Sequence, residues 1–292
     1  MRTHRRWWLG LLVLPIVVAC PVRVSAQGAD ALFDALVLQD IRLHVHSADL
    51  ARLRATYDQN TYYPADLEWR GQRVRNVAIR SRGLGSRNPH KLGLRVDMDR
   101  YTTGQTFLGL SSLVLDNLWQ DPSLAREPLA MAVFARMGIA APRESHARLY
   151  INGEYEGLYT IVEEVAPAFL ARVFGRDDGY LHEFKWVAPW HGEFLGDDTA
   201  AYVPLFEAKT HERAPEEELY APIRDLIRVA NAAGAFEGWG EMLAARLDVD
   251  QLVTYLAVES TLSQLDGLLG YAGMNNFYVH RRVGEERHVL IP

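Results

Sequence analysis

Two stretches of this 292-residue chain hold residue types that can handle phosphate. The first is Arg82-Gly83-Leu84-Gly85-Ser86-Arg87, followed by Lys91 and Arg95. A Gly/Ser-bearing turn between strands can aim several backbone N–H groups at one anion, and these four cations would add positive charge around it. The spacing is neither a P-loop nor a dinucleotide fingerprint, and an exposed hairpin loop with routine arginines is the commoner meaning of such a run. The second stretch is Gln264-Leu265-Asp266-Gly267, with Asn275-Asn276 downstream. A carboxylate and a carboxamide at a helix–loop junction can orient a hydroxyl nucleophile and hold Mg²⁺ through oxygen ligands. From pattern alone the plainer meaning prevails: a loop Asp and Asn satisfying backbone groups in turns. Between the two lies Glu127, in the first turns of a helix. It can pair with a cation from the preceding strands, although a helix N-terminus favours an acid there anyway.

Other chemistries find little support. Cys20 is the single cysteine, so there is no intramolecular disulfide, cysteine-based zinc cluster or catalytic thiol to consider. His44 and His46 share a strand face without a third ligand in view, which reads as a solvated face. No Gly-x-Ser-x-Gly elbow appears and no His/carboxylate group assembles from spacing, so hydrolase chemistry is unsupported. The basic residues are 28 Arg and three Lys (Lys91, Lys185 and Lys209). A GC-rich genome accounts for most of that bias, yet an ammonium is not replaceable by a guanidinium everywhere, so each lysine is a candidate for a role.

The elements that would position these residues follow from periodicity. Composition is that of a globular protein, 49% hydrophobic and 23% charged. Arg2, Arg5 and Arg6 precede an apolar run, Trp7 to Ala19, short for a membrane span and suited to a signal peptide. Residues 1–26 are therefore expected to be an export signal cut after Val24-Ser25-Ala26. An alternative is a lipid anchor on Cys20 within Val17-Val18-Ala19-Cys20. Without its four arginines the net charge moves from −6 to about −10, a poor balance for nucleic-acid partners. Residues 27–38 read as a linker. Asp40–His46 alternates as a strand, and Ser47 is placed to cap a short helix. Ala65–Arg70 and Arg73–Ser81 read as a hairpin about Gly71-Gln72, and Lys91–Met98 resumes as a strand. Asp121-Pro122-Ser123 opens a helix that Gly138 ends. Asn152-Gly153 turns a second hairpin that Glu163 and Glu164 close.

The second half reads mainly as helices, at 169–174, 216–233, 240–247 and 248–263. Strand-like pieces lie at 179–185 and 203–209, with a terminal hairpin over Asn276–Ile291. The expected class is α+β in two lobes, a sheet-rich one over 39–165 and a mainly helical one over 166–292, with a cleft between them. No transmembrane helix is expected in the mature chain.

Several runs together resemble the CotH kinase family. They are Phe107-Leu108-Gly109-Leu110, Leu115-Asp116-Asn117-Leu118-Trp119-Gln120-Asp121-Pro122-Ser123-Leu124-Ala125-Arg126-Glu127, Gly138-Ile139-Ala140-Ala141-Pro142-Arg143, Leu149-Tyr150-Ile151-Asn152-Gly153, Gly157-Leu158-Tyr159 with Glu163, Leu247-Asp248-Val249-Asp250, Tyr255-Leu256-Ala257, Asp266, and Asn276-Phe277-Tyr278. The resemblance implies an atypical protein-kinase-like fold and transfer of the ATP γ-phosphate to protein Ser/Thr, with ATP and Mg²⁺ as cofactors. On the same scaffold, a catalytically inactive surface or coat-assembly binding module is the alternative. Carried over by the resemblance, Arg82, Gly83, Gly85, Ser86 and Arg87 form the phosphate-covering loop. Lys91 or Arg95 contacts the nucleotide phosphates, and Glu127 orients that cation. Glu163 and Glu164 lie at the lobe junction near adenine, Asp266 is the catalytic Asp and Asn276 a metal-side residue. The family pattern continues past Leu290-Ile291-Pro292 as Trp-Asp-x-Asp. The main metal aspartate is thus expected beyond Pro292, and the helical lobe is expected to be incomplete.

Overall fold

The computed structural model describes residues 28–292, so the expected signal segment, its cleavage point and Cys20 lie outside the described residues. The first half contains α1 (Ala29–Leu32), β1 (Gln39–Val45), α2 (Ser47–Ala55), β2 (Tyr63–Trp69), β3 (Gln72–Ser81), β4 (Leu94–Asp97), β5 (Ser112–Asp116), α3 (Arg126–Arg136), β6 (Glu144–Ile151) and β7 (Glu154–Glu163). The second contains α4 (Pro167–Phe174), β8 (Tyr180–Phe184), β9 (Phe206–Ala208), α5 (Glu216–Asn231), α6 (Trp239–Ala244), α7 (Val249–Leu262), β10 (Tyr278–Arg281) and β11 (His288–Ile291). The class is α+β.

The seven strands of the first half close into a barrel in the order β1-β2-β3-β4-β5-β7-β6. The Asn152-Gly153 hairpin turns where expected, and the first turns one residue earlier than expected, at Arg70-Gly71, with Gln72 already in β3. Arg70 and Gly71 (φ 48° and 75°) and Asn152 and Gly153 (φ 53° and 88°) are both left-handed pairs, whose twist matches that of the flanking strands. Alternation then sorts the side chains. Ile41, Leu43, Leu67, Ile79, Leu94, Val96, Leu113, Leu115, Leu149 and Ile161 fill the interior. The segment expected as a linker is not one: Leu32 and Phe33 are buried in the barrel core, and Ser145 Oγ donates to the Leu32 carbonyl at 2.7 Å.

Three boundaries that bear on the site or its supports differ from the sequence reading. Helix α2 is capped by His46, whose Nδ1 accepts from the Ala48 N–H, one residue before the expected Ser47. Strand β4 begins at Leu94, which leaves Lys91 in the preceding loop. Helix α3 begins at Arg126 because Asp121 is used earlier. Its carboxylate accepts from the N–H groups of Ser123, Ala125 and Arg126 at 2.8–2.9 Å and folds residues 121–125 into a turn. The Ser123 hydroxyl, which donates to it at 2.6 Å, and then these N–H groups hold the Asp121 carboxyl down at about 2, against the opposing effect of burial.

In the second half the strand-like pieces and the terminal hairpin join into one antiparallel sheet, β11-β10-β8-β9. The helices pack with it around Phe184, Trp190, Phe206 and Phe277, where the Phe184 and Phe277 rings stack at 4.8 Å. Helix α3 joins the halves: Phe134 sits in this second core, its ring 4.9 Å from that of Tyr255 on α7.

Three histidines of this sheet, His182, His280 and His288, are buried. Burial above all, with Arg281 adding to it in each case, pushes each imidazole down to about 4. Nε2 of His182 and of His280 has no partner. The unfolded chain binds more protons than the native one between pH ~6.5 and ~4, so stability falls on acidification through that window. Each histidine contributes on the order of 3 kcal/mol to that fall. Urea midpoints measured from pH 7 to pH 4 should drop steeply, and the drop should be shallower in His182→Phe. A midpoint independent of pH over this range would contradict the assignment.

Candidate functional site

Residues that alternate with the barrel interior point outward, and on one side of the barrel this outer face is covered rather than solvated. Cross-strand partners define its rows. Arg95 opposes Val114, Val114 opposes Val162, and Val162 opposes Glu144. In the next row of the same face, Asp116 opposes Thr160, which opposes His146. Glu144 and Thr160 are buried there, and Glu127 reaches the same region from the first turn of α3.

Arg95 is committed. Its guanidinium pairs with Glu164 at 2.7 Å, while Arg95 Nε and Glu164 Oε2 are buried without a partner. Glu164 also feels Lys209 of the second half, which is 3.2 Å from Glu183 and 3.7 Å from Glu207. Lys185 is 2.8 Å from each of those glutamates, closing a four-member ion cluster. Two of the three lysines therefore lie in one network with the pair Arg95–Glu164. Tyr278, two residues past Asn276, feels Glu183, Glu164, Arg82 and Arg95, and burial raises its phenol far above the ordinary value.

Glu163 and Glu164 do different things. Glu163 accepts from Arg143 at 2.7 Å and from Arg172 at 2.5 and 3.0 Å, with a further bond from the Arg143 N–H. Both of its oxygens are spent on holding β7, β6 and α4 together. Glu164, one residue on, turns instead to Arg95.

The loop from Arg82 to Lys91 is braced from within. Arg87 donates to the carbonyls of Gly83 and Tyr57 and to the Asn60 carboxamide, so its whole fork staples the loop. Gly83 is left-handed at φ 99°, and a Cβ there would come within 2.3 Å of Ser86 Oγ. Asn117, fully buried at the end of β5, donates to the carbonyls of Ser86 and Lys91 at 2.9 and 2.8 Å. Asn117 lies within the run Leu115–Glu127, and nothing in that run marks it for this role. Among the described residues none accepts a hydrogen bond from the N–H of Gly83, Gly85 or Ser86. Lys91 has no carboxylate within ion-pair distance among the described residues. Its ammonium lies 5.2 Å from the centre of the Tyr159 ring, in space left by Gly157, and burial lowers its pKa.

Glu127 was expected beside Lys91 or Arg95, but the cation that acts on it is Arg82, which also contacts Asp116 at 3.3 Å. Burial, reinforced by the Asp116 charge, pushes the Glu127 carboxyl up to about 7. Glu144 is held well above the ordinary carboxyl range, by burial first and then by Glu127 and Asp116, and neither of its oxygens has a partner.

Asp266 and Asn276 are brought together. Asn275 Nδ2 donates to Asp266 Oδ1 at 2.9 Å, and Asn276 Nδ2 donates to Asp266 Oδ2 at 3.1 Å and to its carbonyl at 2.7 Å. The aspartate is exposed with its orientation fixed from two sides. Among the described residues no three His, Cys, Asp or Glu converge as a metal centre.

A carboxyl raised in the native state loses native stability as pH rises through its window, here ~4.5 to ~7 for Glu127. Glu127→Gln should therefore melt at a higher temperature than the parent at pH 8 and lose that advantage by pH 5. Parallel melting curves across this range would refute the burial of a charged Glu127.

The family model described as CotH kinase protein matches residues 79–292, which include every candidate residue discussed above. Inner spore coat protein H of Bacillus subtilis (strain 168) is 28% identical over 232 residues, covering 78% of this chain and 61% of that protein. The inner spore coat protein H-like protein of the same organism is 39% identical over 64 residues, or 22% of this chain and 21% of that protein. The chain thus spans about three-fifths of the length of the first relative and a smaller part of the second. With the family model matching most of its length, the chain belongs to the CotH kinase protein family.

Proposed function

We propose that this protein transfers the γ-phosphoryl group of ATP to Ser or Thr hydroxyls of a protein substrate, across a kinase-like cleft between its barrel half and its helical half. The observation that carries this reading is the Asp266 cluster: an exposed carboxylate with each oxygen held by a carboxamide N–H. An aspartate fixed in this way can take a hydroxyl proton and orient the oxygen for in-line attack. Its donor set suits Mg²⁺, a hard cation usually held by one or two carboxylates together with substrate phosphates. The carboxamide oxygen of Asn276 would be one of its ligands, with Asp266 kept for the hydroxyl, and the bound ion would neutralise phosphate charge.

On the barrel side, the N–H groups of Gly83, Gly85 and Ser86 are available to phosphate oxygens. Of the two cations in question we assign Lys91 to the phosphates, because Arg95 is neutralised by Glu164 and Lys91 by no carboxylate. Arg87 is left out of the nucleotide contacts, since its donors are used within the loop. Export by the signal-like residues 1–26, with lipid on Cys20 as the alternative to cleavage after Ala26, belongs to the same proposal. Among the described residues no helix is long and apolar enough to cross a membrane. The names of the two relatives favour a second reading, a coat-assembly module that binds without transferring phosphate.

Asp266→Ala separates the two. Under the kinase reading, transfer from Mg·ATP to a protein acceptor falls below detection while partner binding is kept. Transfer at the parent rate would sink that reading. Lys91→Met should raise the KM for ATP about tenfold or more, the loss of one charge-assisted phosphate contact. Arg95→Ala should instead lower stability by about 3–5 kcal/mol, because it leaves Glu164 buried and uncompensated. If Arg95→Ala weakens ATP binding and Lys91→Met does not, the assignment of the two cations is reversed.

A further inference from the structure

The loop that presents Asp266 is tied to the body of the protein by one buried side chain that no motif contains. Glu259 lies on the last turn of α7 and is 2% exposed. Its Oε1 accepts from the Leu268 N–H at 2.8 Å and its Oε2 from the Leu269 N–H at 3.0 Å. Each carboxylate oxygen thus takes one of two consecutive backbone donors, an arrangement that a carboxamide cannot reproduce because it offers one acceptor and two donors. Burial raises the Glu259 carboxyl, and the two N–H groups oppose that rise without cancelling it.

The backbone between is shaped to admit this side chain. A Cβ on Gly267 would come within 2.1 Å of Glu259 Oε1 and 2.9 Å of its carboxyl carbon, so only glycine lets the loop pass. Helix α7 ends at Ser263 in a left-handed conformation (φ 53°), and the Gln264 N–H returns to the Glu259 carbonyl at 3.0 Å. The Gln264 side chain then accepts from the Asp266 N–H at 3.2 Å. On the far side the Asn275 N–H donates to the Gly267 carbonyl at 3.0 Å, which brings the two carboxamides to Asp266. Asp266 is therefore held between Gln264 and Gly267, and both of those rest on Glu259.

We infer that Glu259 is the positioning residue of the site: its carboxylate anchors the Leu268 and Leu269 N–H groups and thereby fixes the Asp266 carboxylate for proton acceptance. This rests on the phosphoryl-transfer reading for its catalytic consequence, while the anchor itself does not. Misplacing a catalytic group by about 1 Å can cost on the order of 100-fold in rate. Lost orientation should appear in kcat, since Glu259 has no contact with the proposed phosphate-binding loop.

The test uses Glu259→Gln in the full chain, with Gly267→Ala as a second variant that presses on the same anchor from the loop side. Backbone hydrogen exchange reads the anchor without any activity. The Leu268 and Leu269 amides should exchange at least tenfold faster in Glu259→Gln, with those of the barrel strands unchanged. Phosphoryl transfer reads the consequence: kcat should fall at least tenfold with the KM for ATP within about twofold of the parent, and Glu259→Asp should recover part of the loss. Unchanged exchange at Leu268 and Leu269 overturns the anchor. Faster exchange with kcat kept, in a protein that Asp266→Ala inactivates, overturns the positioning role. If Asp266→Ala keeps its activity, the phosphoryl-transfer reading fails and takes the positioning role with it, whatever the exchange shows.

Discussion

A ring of seven strands cannot be closed by antiparallel pairing alone. Each antiparallel contact reverses direction, so an odd ring needs an odd number of parallel contacts. Here there is one, β1 beside β6, from Gln39 opposite Ala147 to Leu43 opposite Ile151. That contact leaves no free edge and fixes which way every strand presents its alternate residues. With the apolar set turned inward, the set between them must turn outward. Along β4, β5, β7 and β6 this places Arg95, Asp116, Thr160, Glu164 and Glu144 on one face, against α3. The position of these barrel-side residues follows from the closure of the barrel, whereas Asp266 is placed by the loop after α7.

A charged face that is also covered must settle its charges locally. Arg95 and Glu164 pair, and Lys209, Glu183, Lys185 and Glu207 form an alternating cluster on the adjoining sheet. Glu127 and Glu144 have no such settlement, and burial pushes both toward the protonated state. This outer face thus combines neutralised cations on one side with carboxyls that are hard to ionise on the other. Lys91 has no carboxylate within ion-pair distance among the described residues; it lies over the Tyr159 ring and feels the Asp116 charge.

Local signals in the sequence read well where local chemistry decides the outcome. The turns Arg70-Gly71 and Asn152-Gly153 demand left-handed backbone, and alternation assigns the strands beside them. The start of α3 was misread because Asp121 looks like a cap at its own position, whereas its carboxylate reaches four and five residues ahead. Closure of the barrel was out of reach, since β1 and β6 carry no mark of each other. Within the site, Asp266 and Asn276 were found as residue types, and Glu164 as one of two adjacent acids. Asn117 and Glu259 gave no usable signal. Each acts by satisfying backbone groups of a distant loop, and any helix or strand end contains residues able to do that.

The parallel contact between β1 and β6 also has a consequence in time. Its partners are more than 100 residues apart, so β1 has no neighbour on that side until β6 has been made. At about 5–20 residues per second of synthesis, the edge of β1 waits for on the order of 5–20 seconds. The loop entropy of that closure is spent before its contacts form, which places this domain among the slower folders. During the interval the open edge is a template for other strands, so the growing chain is most exposed to mispairing before its second half exists.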